Sequence, residues 1–281
     1  MKDLIQHIVI VDNNSSIRGE KERLINFLNE IQGESEPIKV KIIFNDKNTG
    51  YASGNNIGLR YLSTLPSKDN LVAIMNPDIK VTERQLKGFL NNYKYAEKLF
   101  GKNSIGMMSP WVINKGEKGM PAWKMPNFLS DIISSSIILK KIIGDILSYK
   151  DLKKYSGIKV VDVLPGSFLL LNKKAISEIG YLEEATFLYC EERILASRMK
   201  RYGYISLLDT DHYYEHEHSK TINKFLNGIK KINYLYDSKK VYYIMEKGSY
   251  IQGNIISCLR YISIMEYVLI RGLKNLIRKS I

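Results

Sequence analysis

Three short aliphatic runs in the first third of the chain, residues 7–11 (HIVIV), 38–44 (IKVKIIF) and 71–75 (LVAIM), are each followed by a polar cluster and then by a stretch with apolar residues at helical spacing. Such a run suits a buried strand, and strand, loop and helix in strict alternation argue for an α/β fold whose sheet is mixed but mainly parallel, flanked by helices. The helical stretches are 18–31, with Leu24, Ile25, Phe27, Leu28 and Ile31 on one face, about 54–64, and 83–99. Thr82 is a good N-cap for the last, and Gln85 three residues on completes a capping box. The polar clusters are Asp12-Asn13-Asn14-Ser15-Ser16, the glycine loop Asn48 to Asn56, and Asn76-Pro77-Asp78. Each alone is an ordinary turn or helix start, and Gly50, Gly54 and Gly58 match neither the dinucleotide nor the Walker spacing. On successive strands they converge at the carboxyl edge of one sheet, where α/β proteins bind ligands.

The remainder is less regular. Residues 104–113 read as a strand, 114–127 as a loop holding Pro121, Trp123 and Pro126, and 128–149 as an apolar, Ser-rich helical segment. A strand pair is expected over 158–172 around Pro165-Gly166-Ser167, then helices at 173–179 and 191–202, each stopped by a glycine, and a short strand at 204–209. Beyond Ser219 the pattern is helical, in two segments parted near Gly248-Ser249. The division expected is a main domain over 1–218 and a helical extension over 219–281.

Composition narrows the function classes. The chain has 281 residues with a net charge of +13, and from Ser219 onward 12 Lys and Arg stand against Asp237, Glu246 and Glu266, which places +9 of that charge in the extension. A nucleic-acid binder spreads basic residues over its recognition surface and interleaves them with aromatic readers, so no nucleic-acid partner is expected. A basic, apolar-rich extension reads equally as a solvated helical face or as a peripheral contact with an anionic membrane surface. Arg260 and Glu266 interrupt its most apolar stretch, so no membrane span is expected. Cys190 and Cys258 make no disulfide framework and no metal spacing, and Lys2-Asp3 opens no signal peptide, which fits a cytoplasmic setting.

The ordered motifs carry a resemblance. Val9-Ile10-Val11-Asp12-Asn13-Asn14-Ser15, Asn48-Thr49-Gly50-Tyr51-Ala52-Ser53-Gly54-Asn55-Asn56-Ile57-Gly58 and Met75-Asn76-Pro77-Asp78 resemble family 2 glycosyltransferases of the GT-A fold. Within these the likeness is to the rhamnosyltransferase-like branch of bacterial surface-polysaccharide (capsule or O-antigen) synthesis. Gly166-Ser167-Phe168-Leu169-Leu170-Leu171, Ile179 to Glu184, Thr186 to Glu192 running on to Arg198, and the His-x-x-x-x-Ser-like element from His216 agree, so the resemblance covers roughly residues 5 to 222.

The resemblance implies transfer of rhamnose or another hexose from a nucleotide diphosphate sugar to a glycan or lipid-linked acceptor, with inversion. Asp12, Asn48, Gly50, Tyr51, Ala52, Asn55, Asn76, Asp78 and Gly166 are the implied donor-binding residues, with Gly50, Ala52 and Asn55 shaping a loop over the donor. Negative charge on the departing diphosphate calls for a divalent cation, Mg²⁺ or Mn²⁺, on Asp78, the last residue of an Asp-x-Asp-like motif whose first position is Asn76 here. His216 is either a further ligand or a buried structural histidine, whereas His212 and His218 are expected on the surface. Relatives place a Glu-Asp pair at a helix start, so Glu191 and Glu192 are the catalytic candidates and Glu192 the base; two acids at a helix N-terminus are also what the helix dipole alone favours. Relatives also begin with a strand and a helix ahead of the Val-Asp-Asn-Ser strand, and Asp3-Leu4-Ile5 resembles the end of that helix. A sheet lacking its usual first strand is expected, and an inactive, truncated remnant is the alternative function. The stripe through Ile132, Ile133, Ile137, Ile138, Leu139, Ile142 and Ile143 reads as core or as lining on the acceptor side.

Overall fold

A computed structural model describes residues 4–15, 19–32, 38–66, 70–144, 146–149, 152–217 and 228–279. In chain order the elements are β1 (His7–Asp12), α1 (Glu20–Gln32), β2 (Lys39–Phe44), α2 (Tyr51–Ser63), β3 (Leu71–Met75), β4 (Ile79–Lys80), α3 (Glu83–Phe100), β5 (Ile105–Asn114) and β6 (Glu117–Lys118). There follow α4 (Phe128–Ser134), α5 (Ile137–Ile143), β7 (Ile158–Val161), β8 (Phe168–Asn172), α6 (Lys173–Glu178), α7 (Glu191–Arg201), β9 (Ile205–His216), α8 (Gly228–Lys247) and α9 (Tyr250–Lys279).

The mixed α/β architecture with flanking helices stands, but the expectation that most strands run parallel does not. β1 and β2 form a parallel pair of their own, so the three polar clusters expected at the edge of one sheet stand at strand ends of two, and a seven-stranded sheet runs β3-β8-β5-β9-β4 with β6 on β5 and β7 on β9. In that sheet only β5 and β9 are parallel. β8 inserts antiparallel between β3 and β5, a long-range choice that local alternation does not encode. The two halves expected to pair within 158–172 part company for the same reason, since β7 joins β9 while β8 joins β3 and β5.

Eight successive residues of β5, Ile105 to Val112, are buried, because both faces of this sheet are covered. On one side Leu86, Phe89 and Tyr93 of α3 pack on Met108, Phe168, Leu207 and Tyr214; on the other, α2, α6 and α7 supply Leu59, Ile176, Leu195 and Met199. Thr82 caps α3 by accepting the Gln85 N–H at 3.3 Å. The Gln85 side-chain Oε1 accepts the Tyr213 N–H at 3.0 Å, tying the helix to β9.

Other boundaries differ from expectation. The Ser-rich 128–149 segment makes two short helices, α4 and α5, capped by Asn127 and Ser136. The last strand is twice as long as expected, because a bulge after Asp209 lets β9 continue beside β5. His212 sits in that bulge, partly buried, with Nδ1 2.7 Å from Asp209 Oδ2. His218 lies outside the described residues. α9 contains one stretch, Tyr250–Leu273, long and apolar enough by length and composition to cross a membrane, despite Arg260 and Glu266.

Candidate active site

The site begins with an amide knot. Asn13, just past β1, donates from Nδ2 to the Gly50 carbonyl (2.9 Å) and to Asn48 Oδ1 (3.2 Å), while its Oδ1 accepts from Asn45 Nδ2 at 2.9 Å. Asn48 Oδ1 also accepts the Gly50 N–H at 3.0 Å. The tips of β1 and β2 are thus locked together by side chains that satisfy turn backbone. Asn13 and Asn45 were not among the expected site residues; Gly54 leaves room for the Asn13 amide, since a Cβ there would come 3.0 Å from Asn13 Nδ2.

The glycine loop is shorter than expected, since α2 begins at Tyr51. Ala52 is fully buried in the core and Asn55 donates back to the Tyr51 carbonyl at 2.9 Å. Neither shapes a loop over a ligand, because both belong to the first turns of a packed helix. Gly50 is the hinge: its φ is +92°, and a Cβ would lie 2.5 Å from the Phe187 carbonyl oxygen, which accepts the Tyr51 N–H at 2.9 Å. Only glycine meets both demands.

Tyr51 carries the connection inward. Its hydroxyl donates to the Gly166 carbonyl at 2.8 Å and stands 3.3 Å from Asn76 Oδ1. The Asn76 N–H in turn donates to the Ser167 carbonyl at 2.9 Å. Burial first, then the nearby Glu192 and Glu191 carboxyls, hold the Tyr51 phenol far above its ordinary value, so it stays a donor. The Gly166 N–H donates to Glu192 Oε1 at 3.2 Å, and a Cβ on Gly166 would lie 2.8 Å from that oxygen.

The two acids of α7 differ in setting. Glu191 is buried, with Oε1 lacking a hydrogen-bond partner among the described residues, and burial followed by the charge of Glu192 lifts it to about 8. Glu192 is partly exposed beside Gly166; burial lifts it too, against the lowering pull of the Glu192 and Gly166 N–H groups. The turn into this helix is strained, with Tyr189 and Cys190 at φ +74° and +64°.

At the far end of the rim, antiparallel pairing of β4 with β9 sets Ile79 opposite His216. That register brings His216 Nε2 within 3.1 Å of Asp78 Oδ1, with Asp78 36% exposed and His216 10%. A carboxylate and an imidazole suffice for a divalent cation that takes its other ligands from phosphate oxygens and water, so the pair fits the expected metal. Among the described residues no cluster of three or more potential ligands occurs. At the end of β1 Asp12 is buried; its Oδ1 accepts the Ser15 N–H at 2.9 Å, while Oδ2 is enclosed without a hydrogen-bond partner among the described residues. Asp12, Tyr51, Asn76, Gly166 and Glu192 are therefore joined by neighbouring residues and short hydrogen bonds, and Asp78 follows two residues after Asn76.

No family model matches the chain. Over 197 residues it is 24% identical to the low-salt glycan biosynthesis hexosyltransferase Agl10 of Haloferax volcanii, covering 70% of this chain and 54% of that protein, so it spans about half of that relative's length. Over 201 residues it is 24% identical to the rhamnosyltransferase WbbL of Escherichia coli, covering 68% of this chain and 71% of the relative. Among solved structures, GalNAc-T7 with UDP, GalNAc and Mn²⁺ aligns with a TM-score of 0.56 at 12% identity, over 85% of this chain and 42% of that one. Staphylococcus aureus TarS in complex with UDP-GlcNAc aligns with a TM-score of 0.51 at 10% identity, over 92% and 62%. The solved structures show the fold, that of GT-A glycosyltransferases, and in sequence the chain is similar to two curated glycosyltransferases, a hexosyltransferase and a rhamnosyltransferase.

Proposed function

We propose that this protein transfers a hexose or deoxyhexose, with inversion, from a nucleotide diphosphate sugar to a hydroxyl of a glycan or lipid-linked acceptor in cell-surface polysaccharide synthesis. The observation that carries the reading is the Tyr51–Gly166–Glu192 chain, which sets one carboxylate of raised pKa against the strand end that holds Asn76 and Asp78. Asp12 marks the base side of the donor site at the end of β1, and the Asn13–Asn48–Gly50 knot holds the loop against which the nucleoside lies. Asp78 and His216 would hold Mg²⁺ or Mn²⁺, which when bound offsets charge on the leaving diphosphate. Glu192 accepts the acceptor hydroxyl proton as that oxygen attacks the anomeric carbon and the nucleotide diphosphate departs. A base on one face of the sugar and a leaving group on the other make a single displacement, hence inversion. Glu191, buried and protonated near neutrality, keeps a second negative charge away from Glu192.

Rhamnose is the first donor sugar to try, on the likeness to the Escherichia coli protein. A lipid-carried acceptor would place the enzyme at the inner face of the cell membrane as a peripheral protein. The rival reading, an inactive remnant, draws on the separation of β1–β2 from the larger sheet, which leaves one edge of β1 and one of β3 without a strand partner among the described residues. A nucleotide-sugar panel assayed for nucleotide diphosphate release with Mn²⁺ separates the two. Turnover that Asp78→Ala and Glu192→Gln both abolish supports the enzyme. Thermal stabilisation by a donor with no release from the unaltered chain would establish the remnant.

A further inference from the structure

We propose that the outward face of α9, together with α5, is a lipid-docking platform that lies flat on an anionic bilayer. α9 carries its charge on the inside: between Tyr250 and Ile270 its only ionic residues are Arg260 and Glu266, and both turn toward the protein. Arg260 reaches Asp237 of α8 at 2.7 Å. Glu266, 8% exposed, accepts from Ser136 Oγ at 2.6 Å and from the Ile137 N–H at 2.5 Å, fastening the start of α5 to α9. The outward stripe, which begins at the edge marked by Glu266, is apolar and open, with Ile251 74%, Met265 58%, Leu269 58% and Leu273 60% exposed. A helix in water places its charges the other way round.

α5 extends the same surface. Ile137, Ile138 and Ile142 are 40%, 53% and 75% exposed, and nothing in this helix is buried. At 100° per residue, Ile255, Ile262, Leu269 and Leu273 lie within about 60° of Glu266, so the stripe borders the edge of α9 on which α5 is fastened. A contiguous apolar face of this kind marks an interaction site.

Charge selects the occupant. The three acids of the extension are all engaged within the protein: Asp237 with Arg260, Glu246 with Arg198 and Arg201, and Glu266 with α5. The exposed stripe carries no acid, Lys140 and Lys141 lie within α5, and Arg271 is exposed near the end of the described side chains of α9. An apolar face with basic residues and no acidic ones matches anionic lipid. The helix rests on the surface rather than crossing it, because its other side packs along α8, which bears Lys239 and Lys240 and the paired Asp237 and Glu246. α8 and α9 in turn share a core with Ile194 of α7, so the platform is rigidly joined to the helix that carries Glu192.

Flotation of the full chain with vesicles, half phosphatidylglycerol and half phosphatidylcholine, tests this independently of any transfer reaction. The chain should float, and Leu269→Glu or Ile142→Glu, both at exposed positions, should each weaken binding on the order of tenfold or more without lowering the melting temperature. Lys140→Ser with Lys141→Ser should weaken it less, and only at low salt. Failure to float, or flotation unchanged in both Glu variants, overturns the proposal. A concentration-dependent dimer that these same substitutions break, without flotation, overturns it in favour of a second copy of this chain.

Discussion

The rim of the sheet and the C-terminal helix pair spend their polar groups in opposite ways. At the rim, short amides close on one another within a few residues of each strand end, and Asn13 alone reaches Asn45, Asn48 and Gly50. In the helix pair, charges are drawn across long sequence distances into the interior: Asp131 of α4 meets Arg193 of α7 at 2.6 Å and Lys239 of α8 at 3.0 Å, while Tyr243 donates to it at 2.7 Å. Arg193 also stacks 3.7 Å from the centre of the Tyr242 ring. The first arrangement fixes two strand ends against each other, and the second fastens a support. The comparison teaches that the extension, charged and basic as it is, works as a brace for α7 rather than as a loose tail.

The largest effect should come from Glu192, the proposed base. Glu192→Gln should lower turnover by about 10²–10⁴-fold with donor binding retained, measured by steady-state rates beside nucleotide titration. In the unaltered enzyme the acid limb of the rate profile should lie above the ordinary carboxylate value of 4.5, because burial raises Glu192 and the protonated form accepts no proton. Next is the brace. Burial opposes the Asp131 charge, but Lys239 and Arg193 prevail and hold it below its ordinary value. Asp131→Ala would leave two buried cations unpaired and should cost about 3–5 kcal/mol in chemical denaturation. Gly50→Ala is smaller in stability, about 1–3 kcal/mol, since the methyl group meets the Phe187 carbonyl and the backbone angle disfavours it. It should also weaken nucleotide binding, whereas a substitution in the brace affects binding only through folding.

The mildest test sets Glu191 against Glu192. The folded state raises Glu191 from 4.5 to about 8, so the neutral acid is the form the fold favours. Its contribution is complete below 4.5 and is lost as pH rises through about 8. Denaturation midpoints of the unaltered chain should therefore fall across that interval, and those of Glu191→Gln should stay flatter. Equal slopes in the two proteins would place the buried acid elsewhere in the energetics.

Much of the rim was legible because its signals are local. The aliphatic runs end where polar clusters begin, and the β3 bounds, the α3 cap and the break at Gly248-Ser249 appear in the structure where the residues put them. The start of α2 was misread because Tyr51-Ala52-Ser53-Gly54 looks like loop, yet the Phe187 carbonyl caps it from a distant segment. His216 could be either a further ligand or a buried structural histidine from the residues alone, and it is the β4–β9 register that sets its ring 3.1 Å from Asp78 Oδ1.

The chain's residues determine by themselves the alternation of strand and helix, the polar strand ends and the basic excess of the extension, since each follows from short-range pattern or from counting. Only the tertiary structure decides that β8 runs antiparallel into the sheet, that Glu191 is buried while Glu192 meets Gly166, and that α9 turns Arg260 and Glu266 inward with Ile251, Met265 and Leu269 outward. Those outcomes depend on which distant surface a side chain meets, and desolvation and pairing are set at that meeting.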